Sequence, residues 1–209
     1  METDYSRIIN KIAKEKLRPY GIIQKGKSRL WLDDQGWYII LIEFQPYSGR
    51  RGSTLNVGAN FNWYNQNYFS FDIGYRQNVE FAEYKNEDQF SQQIELYCDK
   101  AIEIVLDYRN KLDNNHRKNF ILNHAFTSES LWGNYHKGTI LGIIGEADEM
   151  KKYYSAILDE ENQFDWINDL QSKVRFLIES KDFIMEIRKT IYESRKLKKL
   201  PESEINLLV

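Results

Sequence analysis

One apolar segment, Trp37-Tyr38-Ile39-Ile40-Leu41-Ile42-Glu43-Phe44, constrains the fold more than any other part of the chain. Gly36 precedes it, and Pro46, Ser48 and Gly49 follow it. The segment is rich in β-branched and aromatic residues and is too short for a buried helix of ordinary length, which favours a strand. A strand that is apolar at nearly every position is buried on both faces, so we expect it at the centre of a sheet.

The two segments that follow alternate between apolar and polar residues. The alternation covers Leu55–Trp63 and then Tyr68–Tyr75. It is typical of strands that have one face packed on a core and the other face solvated. Together with shorter candidate strands at residues 21–25 and 29–33, these segments predict an antiparallel meander of about five strands.

Amphipathic patterns predict helices before and after these strands. The first covers residues 4–20, and the second runs from Asn86 or Asp88 to about Leu112; we expect both to cover the sheet. Further helices are expected over residues 116–126, from Ser128 or Ser130 to Ile144, from Glu146 to Leu158, from near Asp165 and from Asp182. The predicted fold is therefore α+β, with a sheet domain at 1–112 and a helical part at 113–209 packed on it, or one domain over 1–209.

Glycine spacing predicts a closely packed helical hairpin in the second half. Gly138 and Gly142 lie four residues apart, so they share one helix face and let a neighbouring helix approach. Gly145 is placed to end one helix, and Glu146, directly after it, is placed to start the next.

Composition restricts the classes of protein. Apolar residues make up 42% of the 209 and charged residues 29%, which suits a globular chain. The first 80 residues hold 11 Lys+Arg and 8 Asp+Glu, and residues 81–209 hold 18 and 23, so neither half is basic enough for a nucleic-acid surface. The acidic second half favours a basic protein partner or is a solvated helical surface.

The polar N-terminus predicts no signal peptide, no apolar run reaches the roughly 20 residues of a membrane span, and the lone Cys98 suits a core position in a cytoplasmic protein.

Few residues are spaced for catalysis or metal binding. The three histidines, His116, His124 and His136, have no metal-ligand spacing, and the chain has no phosphate-binding loop or nucleophile elbow. We therefore expect no metal and no cofactor. Arg50 and Arg51 lie at the tip of a predicted loop over residues 46–52, where two guanidinium groups can hold a phosphate or carboxylate; a solvated hairpin is the alternative.

The predicted polar face of the sheet is the main candidate for a ligand site. Its members are amides, a hydroxyl and a carboxylate: Asn56, Asn60, Asn62, Ser70 and Asp72. Trp63, Tyr64 and Tyr68 are close in sequence, and aromatic rings beside amides are common on recognition surfaces. A solvated sheet face without a ligand is the alternative interpretation. Lys and Arg are sparse on these strands, which argues against RNA.

The N-terminal third resembles a known family. A helix ends at Leu17-Arg18-Pro19-Tyr20-Gly21, a strand follows through Lys25-Gly26 to Trp31, and a long apolar strand precedes Leu55-Asn56-Val57-Gly58. This order is similar to the domain-of-unknown-function 4304 family of small bacterial proteins. The segments Trp132…His136-Lys137-Gly138 and Leu141…Gly145 resemble the helical part of longer members. The resemblance implies an α+β fold and a bacterial origin, and it implies no activity.

Together these features predict a cytoplasmic, non-enzymatic protein that binds another protein, such as an immunity protein or an antitoxin. The alternative is a small-ligand-binding protein or an enzyme that uses the polar sheet face with Arg50 and Arg51. The expected partner is a protein, with no membrane and no nucleic acid; a homo-oligomer is compatible with the sequence.

Overall fold

The protein has an α+β fold, which a computed structural model describes over residues 4–161 and 164–207. It divides into two compact units, one of residues up to 61 with 70–110, and one of residues 62–69 with those from 111 onward. The strands are β1 (Ile23–Gln24), β2 (Leu30–Asp34), β3 (Tyr38–Tyr47), β4 (Arg50–Phe61), β5 (Ile73–Arg76) and β6 (Ala82–Glu83). The helices are α1 (Asp4–Leu17), α2 (Glu87–Lys111), α3 (Arg117–Asn123), α4 (Asn134–Ile143), α5 (Ala147–Leu158), α6 (Asp165–Glu179) and α7 (Phe183–Leu197).

The sheet of the first unit is the predicted antiparallel meander. Strands β1 to β5 lie side by side in chain order, and the short β6 pairs with β4. β3 lies between β2 and β4, and its side chains from Tyr38 to Ile42 are buried. The prediction of an apolar central strand is therefore confirmed.

The predicted loop over residues 46–52 is wrong. Pro46 and Tyr47 belong to β3, Arg50 begins β4, and Tyr47 pairs with Arg50 across a tight turn at Ser48 and Gly49. The sheet ladder continues almost to the turn, because a two-residue hairpin leaves no length for a flexible loop.

The predicted strand over residues 68–75 is wrong for most of its length, since β5 begins at Ile73. Before that point, the Asp72 carboxylate accepts the backbone N–H of Phe61 at 2.6 Å, and the Asp72 N–H donates to the carbonyl oxygen of Ala59 at 2.9 Å. A side-chain contact therefore adds to the backbone pairing with β4 at this point. The expectation of a solvated polar face is also wrong, because Asn56 and Asn60 are fully buried.

Helices α1 and α2 belong to the same unit as the sheet. α2 is joined to the sheet by Tyr97, whose hydroxyl accepts the backbone N–H of Ala82 at 3.0 Å. Arg109 pairs with the buried Asp33 of β2 at 2.6 Å, which also raises the pKa of the Arg109 guanidinium through the hydrogen bond. The expected cover of the sheet by an N-terminal and a central helix is confirmed.

The second unit is helical, and α4 packs closely on α5. A side chain at Gly138 would lie 2.5 Å from ring carbons of Tyr154, so glycine is required for this approach. Gly145 ends the first helix of the pair with a φ of +84°, as its sequence position predicted. Asp182 caps α7 by accepting the backbone N–H of Met185 at 3.0 Å.

The helix predicted to begin at Ser128 or Ser130 starts later. A single π-helical turn, Glu129–Gly133, comes first, and the α-helix begins at Asn134. Ser128 makes no capping hydrogen bond; instead the Glu129 carboxylate accepts the backbone N–H of Phe126 at 2.9 Å. None of the described helices combines the length and apolar character needed to cross a membrane.

Candidate functional site

Two of the predicted site residues, Asn60 and Asp72, meet in the first unit. With Ser70 they form what we call the polar cluster. The Asn60 amide donates to Ser70 Oγ at 2.9 Å and to Asp72 Oδ2 at 3.0 Å, and the Ser70 hydroxyl donates to Asp72 Oδ1 at 2.8 Å. These groups bind one another, so the cluster joins β4 to the segment before β5.

Asn56 takes part in a different network, which connects strands β3, β4 and β5. Its amide donates to Glu43 at 2.7 Å and to Gln45 at 3.1 Å, and its carbonyl oxygen accepts from Arg76 Nε at 2.7 Å. Glu43, Asn56 and Arg76 are register partners on three adjacent strands. Direct cross-strand pairs of opposite charge and polarity stabilise a sheet, and that is the role that this geometry supports.

Arg50 and Arg51 do not form a shared anion clamp. As the first two residues of β4 they point to opposite faces of the strand. The Arg50 guanidinium lies 4.4 Å from the ring centre of Phe81, and that of Arg51 lies 4.7 Å from the ring centre of Tyr84. Each is exposed and stacked on its own ring.

Asn62, the remaining predicted residue, belongs to the second unit, where it helps to hold the segment Asn62–Phe69. Its side-chain oxygen accepts from the buried Lys198 at 2.9 Å. The next residue, Trp63, donates its indole N–H to His136 Nδ1 at 2.9 Å, and its carbonyl oxygen accepts from the hydroxyl of Tyr135 at 2.7 Å. Contacts from α4 and α7 therefore fix the start of this segment.

Two groups with basic or nucleophilic chemistry, His136 and Cys98, are buried in structural positions. Burial lowers the pKa of His136 to about 3, so its imidazole is neutral and serves as the acceptor for Trp63. Burial raises the pKa of the Cys98 thiol to about 12, which removes its reactivity at neutral pH. Within residues 4–161 and 164–207, no three His, Cys, Asp or Glu side chains are grouped closely enough to hold a metal ion.

The second unit contains an open groove of about 580 Å³ beside the segment that Asn62 and Trp63 anchor. We call it the aromatic groove. It is lined by four aromatic, three amide and one aliphatic side chain: Tyr64, Tyr68, Trp132, Trp166, Asn65, Gln66, Asn67 and Leu197. None of these lining residues carries a charge.

The rings of the groove are held in a fixed arrangement. Trp132 and Trp166 are parallel, with ring centres 5.9 Å apart and an interplanar angle of 5°, and Tyr64 meets Trp132 edge-on at 4.8 Å. Asn65 is held by Glu193 through a 2.8 Å hydrogen bond from its amide. Trp166 and Tyr68 remain 42% and 59% exposed, so these rings are available for contact. Burial, with a smaller effect of the nearby Asp169 carboxylate, raises the pKa of Tyr64, which therefore keeps its proton.

Sequence reasoning found one side of this groove and missed the other. Tyr64 and Tyr68 were recognised as neighbours of a predicted sheet face, but the amides between them, Asn65, Gln66 and Asn67, were not. Trp132 and Trp166 were not, since Trp166 fits the apolar stripe that also contains Ile167 and Leu170. In the structure those two are buried while Trp166 is exposed at the edge of the stripe. The position of Trp166, a large aromatic residue at the edge of an amphipathic stripe, was the one signal in the sequence that could have indicated an exposed ring.

The candidate site is identified from the shape and the residues of this groove. No family model, curated protein or solved structure matches the chain. Among the described surfaces, the aromatic groove combines a concave shape, fixed rings and exposed hydrogen-bonding groups, which are the properties of a binding site.

Proposed function

We propose that this protein is a cytoplasmic bacterial binding module, without enzymatic activity, that acts by holding another protein in its aromatic groove. An immunity protein or an antitoxin is one concrete form of such a module. The single observation that supports this proposal is the parallel pair formed by Trp132 and the exposed Trp166 beside Tyr64 and Tyr68.

The composition of the groove favours a protein as its occupant. Tryptophan and tyrosine are enriched at protein interfaces and supply a large share of their binding energy. Both rings of the tryptophan pair are already ordered by stacking, so little conformational entropy is lost when a partner covers them. The polar cluster of the first unit offers no comparable exposed anchor, because its groups bind one another.

The test compares two aromatic substitutions on the same helix. Tagged wild-type protein, Trp166→Ala and Phe176→Ala are each incubated with a lysate of the source organism, and retained proteins are quantified by mass spectrometry. Phe176 is 49% exposed on α6 and does not line the groove, so it is the matched control. We expect one partner to be retained by the wild type and by Phe176→Ala, and to be reduced about tenfold or more by Trp166→Ala.

Two results would contradict the proposal. If Trp166→Ala retains the same partner at the same level, the groove is not the binding surface. If the wild type retains no protein above the level of an unrelated tagged chain, the protein does not act by holding a partner. A retained partner is then purified and its dissociation constant measured with each variant.

A further inference from the structure

We infer that the occupant of the aromatic groove is an extended, proline-rich segment of the partner that carries Lys or Arg. This inference rests on the proposed function and names the chemistry of the partner segment. It follows from the shape of the aromatic wall, from the hydrogen-bonding groups between the rings and from the charges around the groove.

The rings are arranged to receive compact, rigid apolar groups. The parallel pair of Trp132 and Trp166 forms one surface, and Tyr64 stands nearly perpendicular to it at an angle of 82°. Corners between perpendicular rings accept compact side chains that are already rigid. Proline meets this condition, because its ring is compact and fixes the backbone angle φ before binding.

The amides suit a backbone that has no internal hydrogen bonds. A polyproline II segment leaves all of its carbonyl oxygens unpaired, so it needs donors from its receptor. The groove is lined by the exposed residues Asn67 and Tyr68, whose amide and hydroxyl are donors of the kind required. Aromatic rings that alternate with such donors are the usual receptor for proline-rich segments.

Other conformations of a bound peptide fit less well. The groove wall from Tyr64 to Tyr68 is irregular, so it offers no strand edge for the addition of a β-strand. An amphipathic helix requires a continuous apolar trough, whereas three of the eight lining residues are amides. The lining lacks the Lys and Arg side chains that a nucleic-acid backbone requires.

Charged residues near the rings determine which charge is preferred on the bound segment. Asp169 acts on the hydroxyl of Tyr64, Glu193 holds Asn65, and Asp165 directly precedes Trp166. All three carboxylates belong to exposed residues. Of the two lysines that flank Leu197 in sequence, Lys196 is exposed, whereas Lys198 is buried and donates to Asn62. The three carboxylates outnumber this exposed cation. A cationic residue beside the prolines is therefore attracted to this wall and can also lie over its rings.

The experiment uses the full chain and synthetic probes, with isothermal titration calorimetry as the measurement, because Trp166→Ala would remove a fluorescent reporter. The first probe is a short peptide of repeated Pro-x-x-Pro with an arginine at one end. Two matched peptides replace its prolines by alanine or its arginine by glutamate. A neutral linear oligosaccharide and a single-stranded oligothymidine represent the other classes of ligand.

We expect the proline peptide to bind at least about tenfold more tightly than the alanine peptide, and the glutamate peptide to bind roughly threefold more weakly. Trp166→Ala should abolish the binding, and Phe176→Ala should leave it unchanged. Equal binding of the proline and alanine peptides, preferred binding of the oligosaccharide or the oligothymidine, or no binding of any probe would overturn the inference.

The two proposals fail in different ways. If the partner captured from the lysate depends on Trp166 but the proline peptide does not bind, the groove holds a protein segment of another kind and the proposed function stands. If Trp166→Ala changes neither the capture of a partner nor the binding of the peptide, both proposals are wrong.

Discussion

The polar cluster of the first unit and the aromatic groove of the second use the side chains that binding sites use, but they differ in what those side chains already contact. In the cluster, Asn60 donates to Ser70 and to Asp72, and the Ser70 hydroxyl donates to Asp72. In the groove, Trp166 and Tyr68 keep about half of their surface exposed. The cluster therefore joins two parts of one unit, whereas the groove presents surface to another molecule.

This difference shows that residue type and proximity do not by themselves identify a site. A buried amide that is fully hydrogen-bonded stabilises the fold, and the same amide at an open surface is available to a ligand. The comparison gives opposite expectations for substitutions in the two regions. Changes in the polar cluster should lower stability, and changes in the groove should lower binding.

The largest expected effect is that of Asp72→Ala. The substitution leaves the buried Asn60 amide and the Phe61 N–H without the carboxylate that accepts them. We expect the free energy of unfolding, measured with urea, to fall by about 3 kcal/mol. Glu80→Ala, at an exposed carboxylate, is the matched control and should change it by less than about 0.5 kcal/mol. A loss for Asp72→Ala as small as that of the control would show that the cluster is not structural and would restore it as a candidate ligand site.

The next largest effect is the loss of stability in acid that His136 causes. His136 binds Trp63 and so supports the segment beside the groove. The pKa of His136 is lowered to about 3 by burial, while an imidazole in the unfolded chain titrates near 6.5. Between these values the unfolded state binds the extra proton, so the free energy of unfolding falls as the pH falls, by roughly 1 kcal/mol between pH 6 and pH 5.

His136→Gln isolates this contribution, since glutamine can accept the Trp63 indole N–H but does not titrate. Stability should be measured by urea unfolding at both pH values, with His116→Gln, at an exposed imidazole, as the control. The slope with pH should be smaller for His136→Gln than for the wild type and the control. Equal slopes for all three proteins would show that His136 is accessible to protons in the folded state.

The sequence predicted those parts of the fold in which one local signal dominates. The apolar segment at β3, the glycine at position 145 and the cap at Asp182 each correspond to a backbone or burial requirement of their own. The prediction was wrong at the turn of Ser48 and Gly49, where cross-strand pairing decides the conformation, and over residues 68–72, where the Asp72 carboxylate binds the backbone of β4. Such contacts are not visible in a local pattern.

The candidate site was predictable in part for the same reason. Tyr64 and Tyr68 are close in sequence to the predicted polar face, so they were expected near a recognition surface, whereas the amides between them were not singled out. Trp132 and Trp166 come from the start of the α4 region and from α6, and their stacking is a tertiary contact. The local pattern placed Trp166 in a core stripe, because an apolar ring at the edge of a stripe has the same spacing as one inside it.

The smallest expected effect on stability is that of Tyr68→Ala, and it separates the two regions most directly. The ring is 59% exposed, so the free energy of unfolding should change by less than about 0.5 kcal/mol. Binding of the captured partner should weaken by about fivefold, the change expected when a contributing interface tyrosine is truncated. Tyr192→Ala is the control, since Tyr192 is 49% exposed and does not line the groove. If Tyr68→Ala destabilises the protein as much as Asp72→Ala and leaves binding intact, the groove rings are structural like the polar cluster, and the contrast between the two regions is wrong.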